Sequence, residues 1–260
     1  MDKVRDDFIY YGNRVKDPEL DSCLLADYTA EGLMEAEYVH RVKKGNALAA
    51  VSFCMERNMD PIEMSKVVLM LILEKYTNNK ALLSAVSSEG RFVPVFLSSE
   101  ETPGFSEYFA LYLKQMDESK FHSQVDFEEL RAEFGWNSFP FITSETRVYE
   151  SFSLADHQDK EAKLGICVTV SDRELTVSVK YNQVLYNRKT FERFFLSFDA
   201  VLGQIAAGED RIAALSLLSE ELLEELDAFN QTEFPYDDSV SVVDLIQAAA
   251  ERHPDRVAVV

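Results

Sequence analysis

Cysteine is scarce in this 260-residue chain, and the three present, Cys23, Cys54 and Cys167, show no CxxC spacing. An odd, unspaced set fits reduced thiols in a cytosolic protein better than a disulfide framework, and gives metal binding no support. Basic residues are few as well, 26 Lys and Arg against 46 Asp and Glu, which leaves a formal net charge of -20. Such a surface repels phosphate backbones and anionic headgroups, so neither nucleic acid nor a membrane is an expected partner. Long apolar runs are missing: the longest, residues 67–73, is closed by Lys66 and Glu74, far short of the ~20 residues of a membrane helix. The start, MDKVRDDFIYYGN, carries acids where a secretory signal needs a basic region and an apolar stretch, so export is not expected and the cytoplasm is. Glycine-rich phosphate loops, a GxSxG elbow and EF-hand spacing are absent from the sequence too, which removes the nucleotide-binding, serine-hydrolase and calcium signatures.

What is there is a globular composition, 47% hydrophobic and 12% aromatic, in a length that allows one large domain or one domain with a fragment. The first forty residues mix turn formers (Tyr10-Tyr11-Gly12-Asn13, Asp17-Pro18) and read as an irregular entry with one short helix. A strand is expected over 35–43 and a helix over 47–57. A better-signalled helix follows over 61–76, with Asp60 as cap, Pro61 in the first position and Glu63 at capping-box spacing. It is apolar on nearly every side and belongs between other elements. Residues 81–86 and 91–97 read as strands separated by SSEG. Thr102-Pro103 opens a helix to about residue 116 with Phe105, Phe109, Leu113 and Met116 on one stripe, and a shorter helix over 126–134 ends at Gly135. Residues 139–152 read as a strand interrupted by polar residues. Strict alternation over 164–170 and 175–181, across the turn 171–174, predicts a hairpin with one buried face. From Thr190 the period becomes helical, with Phe191, Phe194, Phe195, Phe198, Val201, Leu202 and Ile205 on one stripe and Gly208 ending it. Helices over strands, without a βαβ repeat carrying a Gly-rich turn, predict an α/β sandwich with a mixed sheet rather than a dinucleotide-binding fold.

Residues 212–218 read as a small strand or strap. Ser219 then caps an acidic helix with Glu220 and Glu221 in its first turn, and the connector FNQTEFPYDDS leads to a last helix whose Ser241 and Asp244 have capping-box spacing and which stops before His253-Pro254. The expected division is a domain over 1–218, a linker over 219–240 and the opening of a second domain over 241–260.

YNQVLYNRKTFERFFLSFDAVLGQIAAGEDRIAALSLLSEE, residues 181–221, closely resembles the end of a nonribosomal peptide synthetase condensation domain. FNQTEFPYDDSVSVVDLIQAAAERHPDRVAVV, from Phe229, resembles the linker and first helix of an adenylation domain. NMDPIEMSKVVLMLILEKY, GRFVPVFL and FHSQVDFEEL resemble the "gvTpf" helix, the "vGxFvN" strand and the "hqdxPFeel" segment of the condensation domain's second lobe, and LLADYTAEGLMEAEYVHRVK the stretch between the lobes. The match spans most of 21–221 and is to one lobe. It implies a single chloramphenicol-acetyltransferase-like α/β sandwich, with the adenylation domain as partner in cis and a carrier protein or another synthetase subunit as a further partner. It implies no cofactor in this stretch; ATP and a phosphopantetheine-bearing carrier domain belong to the parent protein.

The family's catalytic HHxxxDG motif lies on the first lobe. Here His40 precedes Arg41-Val42, His122 precedes Ser123-Gln124, His157 precedes Gln158-Asp159 and His253 precedes Pro254-Asp255, so none has that context and no catalytic residue is assigned. His122 matches the family's "hq" position, where the histidine is structural. His157 with Asp159 lies in a polar loop, and His253 suits a helix C-terminus. Cys167, on the small-residue face of a strand with no basic sequence neighbour, reads as a buried inert thiol. The acids Glu220, Glu221, Glu224 and Glu225 read as a solvated face, while Leu222, Leu223 and Leu226 opposite them need something to pack on. Leu222, Leu226, Phe229, Phe234 and Tyr236 are the expected interdomain or partner interface. The short connections after residues 86 and 152 suit a lobe that lives without its companion, and Met1 at its head suits an initiation-type module. The expected function is a non-catalytic, half-condensation-like adaptor. The alternatives are an acyl or aminoacyl transferase self-assembled as an acetyltransferase-like oligomer, and a vestigial structural cap.

Overall fold

The computed structural model describes residues 3–15, 21–136, 138–157, 164–171, 174–232 and 240–257. The expected turn at Asp17-Pro18, the centre of the hairpin turn at 172–173, Asp159, Phe234 and Tyr236 lie outside them.

The alternating residues form the hairpin β5 (Leu164–Ser171) and β6 (Glu174–Asn182), whose strands pair antiparallel. β1 (Glu35–Arg41) adds antiparallel to β6, with Glu35 opposite Asn182. On the other side β5 pairs parallel with β4 (Phe141–Thr143), β4 parallel with β2 (Leu82–Ser88), and β2 antiparallel with β3 (Arg91–Leu97). The result is one mixed six-stranded sheet, order β1-β6-β5-β4-β2-β3. Because side chains alternate across a strand, the sheet serves two cores. Leu82, Val86, Ile142, Ile166, Val177 and Val179 join the core under α2 (Lys44–Arg57), α3 (Pro61–Thr77), α4 (Phe105–Ser119) and α7 (Arg188–Ala206). Leu83, Ala85 and Phe141 join the opposite one, with Tyr11 of α1 (Lys3–Arg14), Phe127 and Leu130 of α5 (Phe127–Phe134), and Trp136.

α3 is buried from Met64 to Glu74 without a break, so it lies inside, as its all-round apolarity requires. Its polar residues are therefore partnered. Ser65 donates to the Pro61 carbonyl, Lys66 pairs with Glu63 at 2.9 Å, and Tyr112 donates to Glu63. Asp60 caps the helix by accepting from Ile62 N at 2.7 Å. The expected capping box does not close, because Glu63 turns inward to Lys66 and Tyr112 instead. Asp126 and Glu129 do close a box at the start of α5, and Gly135 ends that helix at φ 65°.

Three expectations are corrected. Residues 139–152 give only the short β4, after which Thr143 Oγ1 accepts from Glu145 N and α6 (Thr146–Ser151) begins; Phe139, Tyr149 and Phe152 are buried from loop and helix, so their aromatic character signalled burial rather than strand. In α4 the buried stripe is Phe105, Tyr108, Phe109, Tyr112, Gln115 and Ser119, while Leu113 is 40% exposed. Tyr10-Tyr11-Gly12-Asn13, expected as turn formers, lie inside the one short helix expected in the entry, the twelve-residue α1, in which Gly12 lets the backbone lie against Phe134: a Cβ there would meet that ring at 2.8 Å.

Residues 212–218 make a 3₁₀ turn, Ile212–Ala214, with Arg211 bridging Gly104. α8 (Glu220–Asn230) follows. The chain divides into two compact units, Met1–Leu222 and Leu223–Val260. The second contains most of α8 and α9 (Val242–Arg252), which opens on the Ser241–Asp244 capping box and buries none of its side chains. Among the described residues no helix is long and apolar enough to cross a membrane.

Candidate functional site

The end of the first unit is anchored by polar residues from three elements. Ser219 Oγ accepts from Leu222 N at 3.3 Å and so caps α8. Glu221, one residue into that helix, pairs with Lys43 in the loop after β1. The hydrogen bond from Lys43 is the main cause that brings the Glu221 carboxyl down to about 2; the pair is solvent-exposed, so it orients the helix more than it stabilises it. Beside it, Asp199 of α7 is buried. One carboxylate oxygen meets His40 Nε2 at 3.1 Å and the other accepts from Lys43 N at 3.3 Å, while Asn46 Nδ2 donates to the Asp199 carbonyl at 2.7 Å. The His40 ring stacks on Phe195, 5.3 Å between centroids. This cluster ties β1, α2 and α7 to the first turn of α8.

Of the five residues expected at the seam, Leu222 is 8% exposed and belongs to the first unit's interior. Leu226 and Phe229 are 44% and 65% exposed, and Phe234 and Tyr236 are not among the described residues. Glu221 stays solvent-exposed on the acidic face and additionally pairs with Lys43.

The other chemically interesting residues are distributed. His122 Nδ1 lies 3.0 Å from Asp7 Oδ1; Asp7 is buried and its other oxygen accepts from Gln124 N at 2.7 Å. The imidazole stacks on Tyr10 at 3.8 Å, and Tyr11 donates to the His122 carbonyl. His122 thus fastens α1 to the segment before α5, the structural part expected of it. His157 ends the 3₁₀ turn Leu154–His157, and His253 caps α9 through its backbone N–H to the Ala249 carbonyl. Cys167 is buried, and burial pushes its thiol up to about 11; Cys54, beside Met64 Sδ, is likewise pushed up to about 11. Burial and the raised thiol pKa disfavour the thiolate form of both. Among the described residues no group of three or more His, Cys, Asp or Glu is placed to hold a metal ion. The His40–Asp199 and Asp7–His122 pairs were not legible in the sequence, because their partners lie more than a hundred residues apart.

No protein-family model matches the chain. N-(5-amino-5-carboxypentanoyl)-L-cysteinyl-D-valine synthase of Penicillium rubens is 30% identical over 98 residues, 37% of this chain and 3% of that protein. A linear gramicidin synthase polypeptide of Brevibacillus parabrevis is 28% identical over 156 residues, 56% of this chain and 2% of that protein. The chain therefore matches only a few per cent of these relatives' length. Among solved structures, a four-domain nonribosomal peptide synthetase bound to AMP and glycine superposes with TM-score 0.76 at 14% identity, over 98% of this chain and 23% of that one. The first condensation domain of the calcium-dependent antibiotic synthetase, in complex with a substrate analogue, gives 0.66 at 15%, over 84% of this chain and 54% of that one. The X-domain from teicoplanin biosynthesis gives 0.66 at 16%, over 83% and 57%. The mixed α/β fold is thus that of the chloramphenicol-acetyltransferase-like condensation domains. With sequence relatives that are themselves peptide synthetases, the chain resembles a condensation-domain fragment of a nonribosomal peptide synthetase.

Proposed function

We propose that this chain is a non-catalytic, half-condensation-like adaptor within a nonribosomal peptide synthetase, packing on an adenylation domain in cis and docking a carrier protein or another synthetase subunit. The observation that supports the reading is one lobe's sheet with a core on each face, whose histidines His40 and His122 are tied to buried aspartates. A condensing enzyme needs a base within hydrogen-bond reach of its reacting amine; His40 and His122 are instead committed to Asp199 and Asp7 and to the packing of Phe195 and Tyr10. The lobe's part is mechanical: it hands the chain on through α8, whose first turn is clamped by Lys43 and Leu222 and whose Leu226 and Phe229 offer an apolar surface. ATP and a phosphopantetheine-bearing carrier domain would serve the parent enzyme elsewhere.

The test is deletion of the residues before Ser219 from the synthetase that carries this lobe, followed by measurement of amino-acid adenylation and of product. Adenylation retained with product lost is the expected result. Unchanged product would make the lobe a passive cap, and acyl-transfer turnover by the purified chain that disappears in His122→Ala would overturn the adaptor reading in favour of a transferase.

A further inference from the structure

A cleft of about 550 Å³ opens between β3 and the segment that leads into α5, walled by Arg91, Phe92, Pro94, His122, Phe127 and Phe141. It lies within the first unit and plays no part in the adaptor reading. Its volume falls in the range of small-molecule sites, and it combines aromatic walls with polar groups that can orient a ligand.

The polar groups can be accounted for one by one. Asp126, Glu128 and Glu129 border the cleft but are committed: Asp126 and Glu129 close the capping box, and Glu128 pairs with Arg131 at 2.8 Å. Asp7, behind the wall, is taken up by His122 and Gln124 N. Tyr11 spends its hydroxyl on the His122 carbonyl. Beside the Ser123 hydroxyl and the exposed Gln124 amide, which also border the cleft, two capacities remain. The Nδ1 contact to Asp7 leaves Nε2 as the ring nitrogen that can meet a ligand, and Nε2 has no hydrogen-bond partner among the described residues. Arg91 is half-buried and donates one Nη2 hydrogen bond, to the Ser119 carbonyl at 3.1 Å, and it pairs with no described carboxylate. In a chain of net charge -20, a half-buried guanidinium without a carboxylate is the exception, because guanidinium forks are matched to carboxylates and are costly to bury alone. An ammonium ligand would want carboxylates, and those bordering the cleft are spoken for.

We propose that this cleft binds a small apolar carboxylic acid bearing a hydroxyl group, with the carboxylate on Arg91, the hydroxyl hydrogen-bonded to His122 Nε2, and the apolar body against Phe92, Pro94 and Phe141. The site needs no companion lobe, since every residue it uses comes from this chain. A charge-assisted contact to Arg91 supplies most of the affinity, and the hydroxyl supplies selectivity, because an acid without it leaves Nε2 desolvated and unpaired.

The probe is 3-phenyllactate, titrated calorimetrically into the full chain. Binding is expected with a dissociation constant of about 0.1–1 mM. Arg91→Gln should weaken it at least about tenfold, and 3-phenylpropionate, which lacks the hydroxyl, should bind the unaltered chain about tenfold more weakly than 3-phenyllactate. In His122→Phe, which keeps the ring on Tyr10, the two acids should bind alike. If a substituted chain melts differently from the parent, the methyl ester of phenyllactate replaces it: loss of the charge should abolish binding to the unaltered protein. No heat with 3-phenyllactate at about 10 mM, equal affinity for the two acids, or full binding of the ester or by Arg91→Gln would each overturn the proposal.

Discussion

At the scale of single residues, the molecule's energetics concentrate where charge is buried. Glu74 is enclosed at the end of α3, and burial raises its carboxyl above the ordinary carboxylate range despite hydrogen bonds from Ser99 and Tyr108. The folded protein therefore holds this proton to higher pH than the unfolded chain does. Stability from the protonated form is complete below the unfolded value and is lost as pH rises through the folded one. Glu74→Gln imitates the protonated state, so the melting curves of the two proteins should lie closest near about pH 4, with the parent falling progressively behind as pH rises toward neutrality. A parent that gains on the variant over that interval would contradict this account. In the sequence Lys66 and Glu74 read as the polar ends of a seven-residue apolar run; they are as buried as the run itself. Nothing local could have shown this, because Ser99, Tyr108 and Tyr112 come from later segments. Leu222 was read only in part: its place behind a row of glutamates marked it for burial, but it is buried in the first unit rather than at a seam, and Leu223 and Leu226, with the same signal, stay exposed.

At the scale of elements, the free edge of β3 is the liability. An edge strand presents unpaired N–H and C=O groups to any passing chain. Here Gln115 of α4 covers one position as a strand would: its Oε1 accepts from Phe96 N at 2.9 Å and its Nε2 donates to Phe96 O at 2.6 Å. Pro94, two residues earlier, has no N–H to offer. Gln115→Ala should cost about 2–3 kcal/mol in denaturant unfolding, from two stranded backbone groups, and should increase association by light scattering. A loss below about 0.5 kcal/mol would mean that solvent satisfies Phe96. This clamp explains the buried stripe of α4: apolar spacing assigns Leu113 to the core, whereas the polar Gln115 is the residue inside. The β5–β6 hairpin was legible from its period, which β6 keeps with one buried face, whereas β5 is buried on both faces from Leu164 to Val168, because the sheet carries a second core behind it. β4, only three residues long and flanked by aromatics that pack from elsewhere, left no period to detect.

At the scale of the whole molecule, two cores built on one sheet make the first unit the cooperative body, while α9 buries no side chain. Ending the chain after Asn230 should therefore leave the melting temperature within about 2 °C of the parent; a larger fall would assign residues beyond 230 a share in that fold. The kinds of element were largely readable from periodicity, but the order of strands was not, because a pattern of apolar residues says which face is buried and is silent about the neighbour. That β1 joins β6 is the clearest instance, with Glu35 opposite Asn182. The pairing sets a timetable for biosynthesis. β1 leaves the ribosome well before β6, its partner, a delay of roughly 10–30 s at ordinary elongation rates. Through that interval a seven-residue strand must remain unpaired without recruiting another nascent chain, and Glu35, Glu37 and Arg41, alternating along one side of it, are the charges that keep it solitary until β6 arrives.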